Sequence, residues 1–192
     1  MQFRTRLEGL ARKVLARLDN KVRPSVPPAP EPEPAPVEPV KPKPINWELR
    51  SQAELVDHIV GHYHEGLRRE LPRLIEAAHA GPPGLVDLIE SLAADLESHM
   101  LKEERMLFPT LRTGARGGPI DMPIRMMERE HESHDEHLDR IRELTGGFTP
   151  PADAANAVKQ LYADLATLES DLRQHIYLEN NVLFARALGG EY

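Results

Sequence analysis

Residues 98–109 read Ser-His-Met-Leu-Lys-Glu-Glu-Arg-Met-Leu-Phe-Pro, and 76 positions further on residues 174–185 read Gln-His-Ile-Tyr-Leu-Glu-Asn-Asn-Val-Leu-Phe-Ala. Each copy holds His-x-x-x-Glu, which on an α-helix places an imidazole and a carboxylate one turn apart on the same face. That face is also the apolar one. Leu88, Leu92, Leu96 and Met106 flank His99 and Glu103, while Leu161, Leu168 and Val182 share the face of His175 and Glu179. At about 100° per residue these positions form a single inward stripe, so the motif is expected in a core and not at a surface.

The segments before each copy repeat as well. His64-Glu65 and His131-Glu132 stand at equivalent places in the two preceding helices. His64 points with Val56, Val60, Leu67, Leu71, Leu74, Ile75 and Ala78, whereas His58 and His62 point away. His131 points with Ile124, Met127 and Leu138; His134 falls at the edge of that stripe and His137 outside it. The pattern predicts two helical hairpins, each supplying a His and then a His-x-x-x-Glu.

The helix ends are well marked. Ser51-x-x-Glu54 is a capping box that starts helix one, which runs to about Ala80 before Gly81-Pro82-Pro83-Gly84, with Pro72 expected to kink it. Helix two spans about Leu85 to Leu111 and stops in the turn Gly114 to Pro119; helix three spans about Pro123 to Leu144 before Gly146-Gly147. Helix four follows Pro150-Pro151 and reaches about Leu188. Four helices with short connections and no alternating strand pattern predict an all-α, up-down-up-down four-helix bundle over 45–192.

Outside the bundle the composition changes. Ten of the 18 prolines lie between Pro24 and Pro44, where the sequence PSVPPAPEPEPAPVEPVKPKP fixes φ at nearly every second residue. Residues 24–44 are therefore expected to be an extended polyproline spacer, roughly 65 Å long at ~3.1 Å per residue. Before it, Phe3, Leu7, Leu10, Val14, Leu18 and Val22 recur at helical spacing among seven Lys and Arg, so 1–23 reads as a short basic amphipathic helix. Three roles stay open for it: packing on its own domain or a second copy, contact with an anionic membrane surface, and docking to a partner protein.

Charge and cysteine content narrow the functions. Residues 1–44 carry nine Lys and Arg against five Asp and Glu, leaving fifteen against twenty-six in the remainder. Such an acidic domain is a poor binder of nucleic acid. With no Cys in 192 residues, the chain supplies no disulfide, thiolate zinc site, Cys nucleophile or cluster ligand. Lacking a membrane-length apolar run or a secretory signal, it reads as soluble and cytoplasmic, with peripheral membrane association through 1–23 open.

The inward residues call for a cation. A single core His usually finds a neutral partner, but four His and two Glu on the stripes, with no Lys or Arg beside them, would be costly to bury unpaired. Six ligands exceed one tetrahedral zinc and suit two octahedral ions, each with two imidazoles and both carboxylates bridging. Imidazole with bridging carboxylate favours iron, with manganese as the competitor. An oxo or hydroxo bridge would leave a position per iron for a small ligand such as nitric oxide or oxygen, or for release of the iron. No hydrolytic site is apparent: His131-Glu132-Ser133-His134 is one residue too short for the H-E-x-x-H pattern.

Together DHIVGHYHEGLRRELPRL from Asp57, SHMLKEERMLFP from Ser98, PIRMMEREH from Pro123 and HIYLENNVLFARAL from His175 resemble the hemerythrin-like domain of the iron-sulfur cluster repair di-iron family. The resemblance covers nearly all of 45–192. It implies a non-haem di-iron centre held by His64, His99, Glu103, His131, His175 and Glu179, the same six residues that helical phasing selects. It further implies a part in repairing oxidatively or nitrosatively damaged iron-sulfur clusters, through iron donation to iron-sulfur proteins or nitric oxide handling. The alternatives are an oxygen- or nitric oxide-binding sensor or carrier tethered through the first helix, and a reductase of nitric oxide or peroxide. The sequence departs from the family in lacking its paired-Cys amino-terminal domain and in Ala185, where the family usually has Pro. It departs from oxygen-carrying hemerythrins in lacking their His-x-x-x-His on helix three.

Overall fold

The computed structural model describes residues 45–189; the basic helix read at 1–23 and the proline-rich linker read at 24–44 lie outside them. Four long helices account for most of the described residues, which contain no strand. Helix α1 is α-helical over Gln52–His58, takes a π-helical turn at Ile59–His64 and returns to α over Glu65–Ala78. Helix α2 runs over Leu85–Lys102, a π turn at Glu103–Leu107 and Phe108–Leu111. Helix α3, Asp121–Leu144, is α throughout. Helix α4 covers Asn156–Tyr177, a π turn at Leu178–Phe184 and Ala185–Ala187.

Local chemistry sets the ends. The Ser51 hydroxyl accepts from the Glu54 amide at 3.2 Å while the Glu54 carboxylate accepts from the Ser51 amide at 2.9 Å, completing the capping box. Gly84 opens α2 at φ 87°, a conformation that a side chain disfavours. At the end of α3 the Gly147 amide closes back on the Arg142 carbonyl at 2.8 Å, with Gly147 at φ 70°. Pro72 lies on the exposed side of α1, and the helix departs from α geometry upstream of it, at Ile59–His64.

Each helix packs on the next, and α4 returns to α1. The core divides into two apolar layers. One contains Leu71, Leu92, Leu96, Leu138, Leu165 and Leu172; the other contains Leu55, Phe108, Ile124, Met127, Val182 and Phe184. The order of the layers reverses from helix to helix, as an up-down-up-down bundle requires. Burying one such side chain contributes about 1.5–3 kcal/mol, so the two layers can offset the cost of a polar layer between them. His64, Glu103, His131 and Glu179 lie at that crossing on all four helices.

One expectation fails here. Uniform helical phasing puts Met106 on the inward stripe beside His99, yet Met106 is 73% exposed and Leu107 is buried in its place. The π turn at Glu103–Leu107 takes more residues per turn, so the phase slips by about one residue after Glu103.

Candidate metal centre

The six inward residues come together in one layer, each no more than 2% exposed. Two groups of ligand atoms form, each within 4.8 Å: His64, Glu103, His175 and Glu179 in one, and His99, Glu103, His131 and Glu179 in the other. Each group takes one His from each hairpin, and both share the two carboxylates. Glu103 Oε2 lies 3.4 Å from both His64 Nε2 and His99 Nε2. Glu179 spans the groups: Oε1 is 2.9 Å from His175 Nε2 and 3.9 Å from His64 Nε2, and Oε2 is 3.0 Å from His131 Nε2.

Outer hydrogen bonds fix which nitrogen of each ring faces inward. His64 Nδ1 donates to Glu104 Oε1 at 2.8 Å, His99 Nδ1 to Glu130 Oε2 at 3.0 Å, and His131 Nδ1 to Asn180 Oδ1 at 2.8 Å. With Nδ1 carrying the proton, the neutral ring presents a lone pair at Nε2. The Nε2 atoms of His99 and His131 then face each other at 3.0 Å, lone pair to lone pair. Glu103 has no hydrogen bond to either oxygen, and His64 Nε2 has none. A fully buried carboxylate without a donor, set among converging lone pairs, is unfavourable unless a cation lies between them. The donor set therefore fits a metal.

In the absence of a metal the same carboxylates draw a second proton onto these rings, in the place a cation would take. Burial pushes the imidazoles down, but Glu103 and Glu179 outweigh it and lift His64 to about 10 and His99 to about 9; His131 is raised for the same reason. Glu179 is held well below the usual carboxylate range despite its burial, by His175, His131 and His64. The layer is built to hold positive charge. His134 behaves oppositely: burial and the neighbouring His99 and His131 push it down to about 3.

The outer partners follow a rotation round the bundle. The imidazole on each helix meets a residue of the next: His64 on α1 meets Glu104, His99 on α2 meets Glu130, His131 on α3 meets Asn180, and the ring of His175 on α4 stacks on Tyr63 at 5.0 Å. Arg68 donates to Glu104 at 2.9 Å and Lys102 to Glu130 at 2.6 Å. Helical phasing points Glu104 away from the centre and gives Glu130, Asn180 and Tyr63 no role. A signal is present all the same, since each stands next to a selected residue, about 100° round the helix and so turned toward the neighbouring one. His134, read at the edge of the stripe, is buried, with its ring edge-on to His99 at 4.9 Å. His58 and His62 lie outside the layer, stacked on each other at 5.1 Å, and His137 bonds Ser91 nearer the surface.

Among the described residues no helix is long and apolar enough to cross a membrane. The hemerythrin HHE cation binding domain matches residues 55–187 of the chain. The iron-sulfur cluster repair protein YtfE of Enterobacter sp. (strain 638) is 42% identical over 156 residues, covering 76% of this chain and 70% of that protein. The proteins of the same name from Escherichia coli O1:K1 and Escherichia fergusonii are similar to the same extent.

Proposed function

Because the chain belongs to the hemerythrin HHE cation-binding family, we propose that it carries two irons and serves in the repair of oxidatively or nitrosatively damaged iron-sulfur clusters. In this reading His64 and His175 would hold one iron and His99 and His131 the other, with Glu103 and Glu179 within reach of both. Manganese is the competing metal. The pair of irons supplies a place for a diatomic ligand and a store of exchangeable iron. The strongest support is the pair of donor groups sharing two buried carboxylates, with Nε2 lone pairs facing each other at 3.0 Å.

The chain's own residues orient and shield the site. Glu104, Glu130 and Asn180 hold three rings in the tautomer that offers Nε2, and the Arg68 and Lys102 hydrogen bonds hold the two carboxylates in place. Phe108 lies against His64 and Phe184 against His131, which excludes water from that side. A cavity of about 240 Å³ between α1 and α4, lined in part by Leu67, Leu74, Leu168 and Leu172, reaches Tyr63 beside His175. Its largely apolar wall suits an uncharged diatomic, which supports nitric oxide or oxygen as ligand. Residues 1–23 and 24–44 would act as a tethering helix and spacer in a cytoplasmic protein.

Mixing the iron-loaded protein with a [4Fe–4S] protein damaged by nitric oxide tests the donor role. Recovery of the cluster matched by iron loss from this chain supports donation. No recovery with the iron site intact removes donation and leaves nitric oxide handling, which multiple-turnover consumption of nitric oxide with a reductant would measure.

A further inference from the structure

Met106, turned outward by the π turn of α2, is 73% exposed, and on the neighbouring α3 Met122 is 68% and Met126 47% exposed. The three lie along one seam. The Lys102 ammonium on α2 meets the Glu130 carboxylate on α3 at 2.6 Å, which sets the register of the two antiparallel helices. Met106 stands four residues on from Lys102, Met126 four back from Glu130 and Met122 four further back, so all three continue from that pair toward the loop joining the helices. Exposed apolar side chains scattered singly are ordinary, whereas a contiguous row of them marks a contact surface.

The charge beside this row is opposite to that of the domain. Residues 105–127 hold four Arg and one acidic residue, Asp121, against eleven basic and twenty-five acidic residues in the rest of 45–192. Arg112 is taken by Asp57, but Arg105, Arg116, Arg125 and Arg129 are exposed and make no ion pair among the described residues. The nearest carboxylates do not face them. Glu104 is bound by His64 and Arg68, Glu130 by His99 and Lys102, and Glu128 lies about 160° round α3 from Met126. Methionine and arginine are enriched at protein interfaces, where lysine and carboxylates are depleted.

We propose that Met106, Met122 and Met126, with Arg105, Arg125 and Arg129 beside them, dock the acidic surface of the iron-sulfur protein whose cluster is repaired. The inference rests on the cluster-repair reading above. The arginines select an acidic partner and hasten encounter, and the methionines supply the apolar contact that holds it. Unbranched methionine side chains adapt to partners of different shape, which suits a protein serving more than one client. A symmetric pair of copies through the same seam would set Arg against Arg. A nucleic acid backbone would meet the arginines and leave the methionines in water.

The test titrates the full, iron-loaded chain with an acidic [4Fe–4S] ferredoxin damaged by nitric oxide, reading binding by calorimetry at low and high salt and cluster recovery separately. Binding is expected at low salt and should weaken as salt rises. Arg125→Glu with Arg129→Glu is expected to weaken it about tenfold or more, and Met106→Ser with Met126→Ser about threefold with the salt dependence kept. Arg140→Glu with Lys159→Glu makes the same change in net charge at exposed positions, Arg140 about 21 Å along α3 from Met126, and should alter binding by less than about twofold. These substitutions lie at the surface, so helicity and iron content should stay at wild-type levels. Equal weakening by the two charge-reversed variants overturns the proposal, since net charge would then explain it. Unchanged binding by the methionine variant also overturns it, as does a DNA duplex that binds as tightly as the ferredoxin and loses affinity in the Arg125→Glu, Arg129→Glu variant. Cluster recovery without dependence on the seam overturns the docking surface and leaves the repair reading. Seam-dependent binding without recovery supports the surface and removes iron donation, so the two failures are read apart.

Discussion

The two hairpins contribute equal sets of inward residues but support them differently. Both imidazoles of the first hairpin donate to carboxylates, His64 to Glu104 and His99 to Glu130. In the second, His131 donates to the neutral Asn180, and His175 Nδ1 has no acceptor while the ring rests on Tyr63. A carboxylate acceptor makes an imidazole more basic and fixes its orientation more firmly than an amide does. Because each donor group draws one His from each hairpin, every group has one charge-supported ring and one that is not. The internal repeat therefore gives a site that is asymmetric between hairpins and balanced between metal positions.

The largest effect we expect lies outside the centre and tests whether packing alone holds the rings. Leu92→Ala should cost about 2–5 kcal/mol of unfolding free energy, read from denaturant titration, with the metal content of the folded protein unchanged. Metal loss from this variant while it remains folded would mean that the apolar layer, and not the outer hydrogen bonds, sets the difference between hairpins. Next, Glu104→Ala should weaken metal binding about 10–100-fold in chelator competition, since it removes the acceptor of His64 and one of the two carboxylates that Arg68 bonds. Asn180→Ala should fall at or below the low end, about tenfold, because the acceptor it removes from His131 is uncharged; equal effects for the two variants would break the comparison. Asn180→Glu sharpens it, and should bring His131 toward the first-hairpin pattern and tighten binding in the same competition. Tyr63→Phe should change metal affinity by less than about twofold, because Tyr63 meets His175 with its ring face.

Much of the centre can be read from the sequence, for definite reasons. His64, His99, Glu103, His131, His175 and Glu179 stand out because a 3.6-residue period separates inward from outward positions, and Ser51-x-x-Glu54 and the glycine turns fix where that period starts and stops. The same period misplaces Met106. A π turn is set by what the helix must satisfy in the folded bundle, so a uniform 100° step carries no sign of it. Three of the four helices have such a turn beside the polar layer, and α3 has none. The acceptors Glu104, Glu130 and Asn180 stay hidden for a related reason, because each serves a ring on a different helix. Glu130 lies 31 residues from His99, Glu104 lies 40 from His64, and Asn180 lies 49 from His131. No local pattern links residues that far apart.

If two irons lie between the hairpins, bridged by Glu103 and Glu179, then metal content and the optical spectrum of the purified chain show it most directly, compared between wild type and the Glu103→Ala, Glu179→Ala double variant. Near two irons per chain with an oxo-bridge band in the near ultraviolet are expected of the wild type, both absent from the double variant. Wild-type protein with no metal, or with a single zinc, would contradict the two-iron centre and leave the layer a polar network of His and Glu.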